Sequence, residues 1–433
     1  MIITKRIFFL TLCSLFFACK KDSNLDSPTI QISAPSGLQT FNVFDTIYVQ
    51  GHVSDADGLK SLSISLTTGQ SSTVLPSIQV PITNNSMTFN WPFILSDIHL
   101  ASGPYYITAT ASNGTNTSYA YQEIYVNAAP TKRVAVYALT RNSGGVRAWQ
   151  VDSIFHVSGG AWVSSNYVAS DISSYYQQLY IAPSDTGNVN AISVPSNAPA
   201  WNLQGLYSNA PVFTNVYSYN DAVYVSIYAG GYVKYFDHRG LQKFVATANP
   251  GYYPIKTYVW NNYLFVEEKS ITSSSENLVL YYASTGVGYQ QCSLPGPVIA
   301  MYGMDNNDVF IFGNQTSGAP YMEEYNISGN NFYTPISLPN ARLLSVAQLN
   351  SGSFLIGFNN GNVYQYTCNP SNFLSYISGV NASHIKYDVV NNQAVIASNN
   401  MVQEYNCGIS SATLAYSATM PDSVLDVQIL FNK

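Results

Sequence analysis

Seven short segments of this 433-residue chain carry one signature, an aliphatic or Met residue followed three places later by a large apolar one. They are Val146-x-x-Trp149, Val189-x-x-Ile192, Val233-x-x-Phe236, Val279-x-x-Tyr282, Met322-x-x-Tyr325, Val363-x-x-Tyr366 and Val402-x-x-Tyr405. Successive intervals are 43, 44, 46, 43, 41 and 39 residues. A repeat near that period is one supersecondary unit that cannot bury its apolar surface alone and must stack on its neighbours. A spacing of three on a strand puts the two residues on opposite faces. Both faces are therefore expected to be buried, which suits a small sheet packed between two others.

Each copy follows an apolar triplet that reads as the preceding strand, as in Val223-Tyr224-Val225, Leu264-Phe265-Val266, Val309-Phe310-Ile311 and Phe354-Leu355-Ile356. Asn261-Asn262, Asn306-Asn307 and Asn391-Asn392 introduce three of these strands, where Asn tolerates the left-handed backbone of a tight turn. Asn220 to Gly240 is the clearest hairpin, with Gly230-Gly231 at its turn. Residues 133–433 are thus expected to form a seven-bladed β-propeller. The first repeat lacks an inner strand before Arg133, while Asp422 to Phe431 follows a seventh repeat that is already complete. Val424 to Phe431 is expected beside Val134 to Leu139, closing the ring and covering an open strand edge.

Composition agrees with an all-β class. Only 9% of residues are charged, 14% are aromatic, and Tyr contributes 35. Gly, Pro, Asn and Ser clusters punctuate short apolar runs throughout. The net charge of −6 and the absence of a basic patch argue against a nucleic-acid partner, because phosphate binding requires clustered Lys and Arg.

Lys5 and Arg6 precede an apolar run from Ile7 to Ala18, the pattern of a secretory signal at residues 1–18. Phe16-Phe17-Ala18-Cys19 resembles the lipobox of bacterial lipoproteins, with Phe16 where Leu is usual, and Cys19-Lys20-Lys21-Asp22 resembles the start of Bacteroidota surface lipoproteins. The resemblance implies lipidation at Cys19, a lipid anchor to the outer membrane and a position at the cell surface. Residues 19–27 read as a polar tether. Of the remaining cysteines, Cys292, Cys368 and Cys407 are odd in number and are expected to be free thiols.

Between Thr29 and Val126 seven strands are expected, around Ile30, Ile47, Ile64, Ile78, Phe89, Ile107 and Ile124, at the spacing of a sandwich. Residues 28–127 resemble bacterial Ig-like domains through Asp45 to Gly51, the Asp55-Ala56-Asp57-Gly58 turn and Ser102-Gly103-Pro104-Tyr105. Asp55 and Asp57 read as a polar turn, because a calcium loop requires further oxygen ligands and a closing Glu. Residues 128–132 are a short linker.

Chemical signatures are sparse. No nucleophile elbow, zinc-protease, P-loop or dinucleotide motif occurs. The histidines stand singly, so no metal ligands are assigned, and no resident cofactor and no catalytic residue is assigned. Glu267-Glu268 and Glu323-Glu324 are adjacent on strands and point to opposite faces, which denies them one substrate and leaves solvated or sheet-interface roles. Asp237-His238-Arg239 reads as a polar turn. Trp162, Tyr207, Tyr252, Tyr253 and Arg342 fall in expected blade-to-blade connections and are the candidate ligand-binding residues, a stacking surface for a sugar or another flat ligand. Asp45-Thr46-Ile47, Asp152-Ser153-Ile154 and Asp422-Ser423-Val424 resemble Bacteroidota O-glycosylation sites.

The leading expectation is a non-enzymatic surface lipoprotein whose propeller binds a ligand: a glycan, a cofactor such as a corrinoid, or a protein partner of an outer-membrane uptake complex. Two alternatives remain. One is a glycan hydrolase or lyase, which requires Asp or Glu and His to converge at a channel mouth. The other is an adhesin or structural scaffold.

Overall fold

The computed structural model describes residues 26–69, 72–142, 144–152, 154–185, 187–194, 196–205 and 211–433. Cys19, the signal segment and Tyr207 lie outside them. The chain divides into two compact units, one ending at Pro130 and the other spanning Thr131–Lys433. Among the described residues there is no helix.

The first unit contains β1 (Thr29–Ala34), β2 (Gln39–Asn42), β3 (Thr46–Ser54), β4 (Ser61–Thr68), β5 (Ser72–Gln79), β6 (Ser86–Ile94), β7 (Gly103–Ser112) and β8 (Thr117–Asn127). They form two sheets, β1-β3-β6 and β2-β8-β7-β4-β5. β3 alternates strictly: Ile47, Val49 and Val53 are buried and Tyr48, Gln50 and His52 are exposed. The inward set packs with Leu62, Ile64, Ile107 and Ile124 of the other sheet in one core. Each fully buried Val, Ile or Leu contributes roughly 1.5–3 kcal/mol there. All the expected strand centres lie in strands. β2 was not anticipated, because it is short, polar and lacks alternation, and it is held by parallel pairing to β8 from Gln39↔Ile124 to Asn42↔Asn127. Asp55 closes its turn by accepting the N–H groups of Asp57 and Gly58 at 2.7 and 3.0 Å, while its other oxygen takes Asn113 Nδ2 at 3.0 Å.

The second unit begins with β9 (Arg133–Asn142), β10 (Gly145–Val151), β11 (Val157–Val163), β12 (Ala169–Ser173), β13 (Gln178–Ala182), β14 (Val189–Ser193), β15 (Ala198–Leu203), β16 (Phe213–Tyr219), β17 (Ala222–Ile227), β18 (Tyr232–Asp237) and β19 (Gln242–Thr247). It continues with β20 (Tyr252–Trp260), β21 (Tyr263–Ser270), β22 (Glu276–Tyr282), β23 (Gly288–Leu294), β24 (Val298–Gly303), β25 (Asp308–Asn314), β26 (Pro320–Asn326) and β27 (Asn331–Tyr333). Its last strands are β28 (Leu343–Asn350), β29 (Ser353–Phe358), β30 (Asn362–Cys368), β31 (Ser371–Ser378), β32 (His384–Asp388), β33 (Gln393–Ser398), β34 (Met401–Cys407), β35 (Ala412–Thr419) and β36 (Val424–Phe431).

From β12 onward, each run of four consecutive strands makes one antiparallel sheet, and the remaining sheet has the order β11-β10-β9-β36. The first strands of successive sheets touch in the order β12, β16, β20, β24, β28, β32 and β36, and β36 touches β12. That cycle is a closed β-propeller with a central channel. The closing strand is the one expected from the sequence: β36 pairs antiparallel with β9, Val427 opposite Ala138 and Ile429 opposite Val136.

The repeated signature does the packing expected of it. Val233 joins one apolar cluster and Phe236 another; Val363 and Tyr366, Val402 and Tyr405, and Met322 and Tyr325 divide in the same way. One copy departs. Tyr282 is 40% exposed, and its neighbour Tyr281 is buried with Val279 instead. Tyr282 ends β22 and rests on Tyr263 and Tyr289 at the sheet edge. Asn261 and Asn392 adopt φ of 52° and 54°, as their turns require. Asn306-Asn307 does not; there Asp305 Oδ1 accepts the N–H groups of Asn307 and Asp308 at 2.8 and 3.0 Å.

Candidate functional site

The innermost strands do not pair with one another, so polar side chains must connect them across the gaps. One register position shows this repeatedly. Asp171, Tyr217, Tyr258, Tyr302 and Lys386 each lie opposite the middle residue of the apolar triplet on the next strand of their own sheet. Four of the five reach the backbone of the adjacent innermost strand. Asp171 Oδ2 accepts Ser218 N at 2.6 Å, Tyr217 accepts from Val259, Tyr258 accepts Gly303 N at 2.8 Å, and Tyr302 donates to Val346 O at 2.7 Å. Lys386 has no such bond among the described residues.

These strands enclose a cavity of about 580 Å³, lined among others by Asp171, Lys256, His384, Lys386 and Asp426. That volume is in the range of small-molecule sites. Lys256 stands three strands from Lys386 and from Asp426 around the cycle, yet acts electrostatically on both, so these charges face one another across the channel. Lys256 Nζ also donates to Ile299 O at 2.8 Å.

Asp426 is the most heavily bonded group. Its Oδ2 accepts from Ser170 Oγ at 2.7 Å, Gln428 Nε2 at 2.8 Å and Tyr167 OH at 3.1 Å, its Oδ1 accepts Val427 N at 2.8 Å, and His384 Nδ1 lies 3.3 Å away. Burial pushes its pKa up, but the His384 hydrogen bond and charge, Lys386 and Ser170 outweigh this and hold it well below the usual carboxylate range. Asp171 goes the other way, raised by burial and only partly offset by Lys386, Ser218 and Ile172. Burial lowers Lys256, against the pull of Glu267 and Asp426.

The channel therefore holds acids and a histidine, as a hydrolytic site would demand. Their bonding is nevertheless wrong for a nucleophile relay. Ser170 donates to Asp426 rather than to His384, and Asp426, already saturated with donors, is a poor acid or base.

Glu267 and Glu268 sit behind this wall, both fully buried. They diverge as expected, but neither is solvated. Glu267 Oε1 accepts Val298 N of the next sheet at 3.0 Å, and Glu268 is held by Asn249 and by the Tyr281 hydroxyl. Burial pushes Glu267 up to about 8. Glu323 binds Thr334 at the surface. Asp237 is the acceptor of the Asp237-His238-Arg239 turn, taking Arg239 N and Leu241 N at 3.0 Å each. His238 leaves that turn to bond Asp221 at 2.6 Å and stack on Tyr176.

Three of the sequence-predicted site residues are placed differently from expectation. Trp162 belongs to β11 and Tyr252 and Tyr253 to β20, because strand pairing extends to Arg147↔Trp162 and Tyr252↔Ser270; among the described candidates Arg342 remains in a connection. All four lie at strand ends on the face of the blade-to-blade connections. They are not gathered into one pocket. Trp162 lines a separate cleft of about 350 Å³, Tyr253 packs edge-on against Tyr228, and Arg342 N bonds Asn359. The channel residues were missed because single charges carry no motif. Aligning the repeats on their innermost strands rather than on the Val-x-x-aromatic strand would have put Asp171 and Lys386 in one column.

Among the described residues no group of three His, Cys, Asp or Glu side chains is placed to hold a metal ion. Cys292, Cys368 and Cys407 are free.

Neither a protein-family profile nor a curated protein sequence matches the chain. Among solved structures it is similar to the WD40 β-propeller domain of Doa1, at 10% identity over 61% of this chain and 86% of that one, with a TM-score of 0.49. It is similar to the computationally designed Ika8 protein at 14% identity, covering 68% and 90%, TM-score 0.48. It is also similar to a quinonprotein alcohol dehydrogenase-like protein from Bacteroides thetaiotaomicron VPI-5482 at 9% identity, covering 92% and 97%, TM-score 0.45. The propeller assignment is carried by the closed cycle of sheets itself.

Proposed function

We propose that the chain is a lipid-anchored surface protein whose seven-bladed propeller captures a ligand at its central channel without chemically altering it. The observation that carries this reading is the 580 Å³ channel, with its unevenly satisfied polar lining. The seven-blade count is supported by the seven four-stranded sheets in the cycle. An Ig-like origin for the first unit is supported by its two facing sheets and common core. Such a sandwich would serve as a spacer. Anchoring at Cys19 on the outer membrane rests on the lipobox resemblance. Cys19→Ser should abolish incorporation of labelled palmitate, and protease added to intact cells should remove the wild-type protein.

The channel is tested by thermal-shift screening of the full chain against glycans and small molecules, followed by the mass of the recovered ligand. Ala300→Trp, which fills the channel, should abolish any shift. A shift that survives Ala300→Trp would place binding elsewhere, and a cleaved ligand would favour the hydrolase. Protein docking on the outer face is the reading left if nothing small binds.

A further inference from the structure

The reading above rests on the channel as a receptor, and the channel's own chemistry narrows the ligand. Two lysines and two aspartates line it, so their formal charges cancel. Their hydrogen-bonding capacity does not. A carboxylate offers about four lone-pair positions, and Asp426 already receives four hydrogen bonds plus the approach of His384. Asp171 receives Ser218 N and Oγ on one oxygen and Ile172 N on the other. A cationic ligand would find Asp426 filled and one position left on Asp171.

Donors, in contrast, are left over. Lys386 makes no hydrogen bond or direct ion pair among the described residues; its ammonium acts only at longer range on Asp171, Asp426 and Lys256. Lys256 uses one of its three N–H groups on Ile299 O. An ammonium with three unfilled donors in a cavity of this size favours an acceptor with negative charge.

We infer that the channel is a receptor for a small monoanionic carboxylate, held by Lys386 with Lys256 facing it from the opposite wall. One negative charge is the fit. A doubly charged phosphate would set a second negative charge against Asp171 and Asp426, which already balance both lysines. The carboxylate source is either a sugar acid or a simple hydroxy acid, and both present the same two oxygens to Lys386.

The test is isothermal titration of the full chain with D-glucuronate, L-lactate, inorganic phosphate and the neutral methyl glucoside. At least one of the two carboxylates should bind, and whichever does identifies the source. Lys386→Met should weaken that binding about tenfold or more, the loss expected of a charge-assisted hydrogen bond, whereas Lys386→Arg should largely keep it. Lys386→Gln serves if the Met variant does not fold. Absence of carboxylate binding, a preference for phosphate, or affinity unchanged by both neutral variants would each overturn the inference. Methyl glucoside binding that Ala300→Trp abolishes but Lys386→Met does not would retain the channel as a receptor and remove only the carboxylate.

Discussion

Arg133 Nη1 lies 2.7 Å from Glu404 Oε2 and 3.1 Å from Asp388 Oδ2, and none of the three side chains is more than 7% exposed. Arg133 opens β9, while Asp388 and Glu404 belong to the last sheet in the chain, so one cation joins the two ends of the ring. Two carboxylates share it in a site where water cannot replace it. Removing Arg133 should therefore cost more than any surface ion pair. Arg133→Met is expected to lower stability by about 3–5 kcal/mol, because it strands two buried negative charges. Arg133→Met combined with Asp388→Asn and Glu404→Gln should recover much of that loss. Urea unfolding of both variants measures it, and a loss below about 1 kcal/mol for the single substitution would contradict the account.

Ending the chain before Asp422 removes β36 altogether. β9 then exposes an unpaired edge along Arg133 to Thr140, and β12 and β32 lose the strand that lies between them. The truncated protein should aggregate or melt without a cooperative transition in the 131–433 unit, as read by size exclusion and circular dichroism. An unchanged melt would show that ring closure is dispensable.

Glu267 makes stability depend on pH with a definite sign. Its folded pKa is pushed up to about 8 by burial, against an ordinary 4.5, so between these values the folded state keeps a proton that the unfolded chain has released. The contribution of this group to stability is whole below pH 4.5 and declines as pH rises toward 8, by at most about 1.4 kcal/mol per pH unit. Glu267→Gln keeps an acceptor for Val298 N and should flatten the slope over that window. Denaturation midpoints at several pH values between 5 and 8 give the answer; parallel slopes in the two proteins would refute it. Lys256→Met, which removes a cation opposing the shift, should carry the decline to higher pH.

The Cys292 thiol is pushed up to about 12 by burial, with Tyr325 bonding only partly opposing this. Little thiolate exists at pH 8, and Cys292 should resist a thiol reagent such as Ellman's until the protein is unfolded. Peptide mapping after a timed pulse checks this. Prompt native labelling at Cys292 would mean that its sheet opens readily.

Strand positions were largely legible because they are written in consecutive residues. Val233 and Phe236 announce two buried faces through spacing alone, and Val424 to Phe431 was identifiable as the closing strand because it is an apolar run left over after the repeats were counted. β2 was not, since parallel pairing with a strand some eighty residues away leaves no local pattern in Gln39–Asn42. Trp162, Tyr252 and Tyr253 read as connections in the sequence because apolar patterning weakens before pairing does, so the strands run further than their sequences suggest. Adjacency on a strand is enough to make Glu267 and Glu268 diverge, but their burial depends on the sheets on either side.

What the sequence by itself determined is the repeating unit: its length, its strands, its two buried faces and the strand that completes the first sheet. These follow from periodicity, which is a property of neighbouring residues and the pleat. What only the tertiary structure decided is the channel. Asp171, Lys256, His384, Lys386 and Asp426 lie on separate innermost strands and share no motif. They become one site only because closing the ring turns one edge of every sheet toward a common axis. Whether a charge there is bonded, like Asp426, or left with open donors, like Lys386, depends on which strand lies next around the ring.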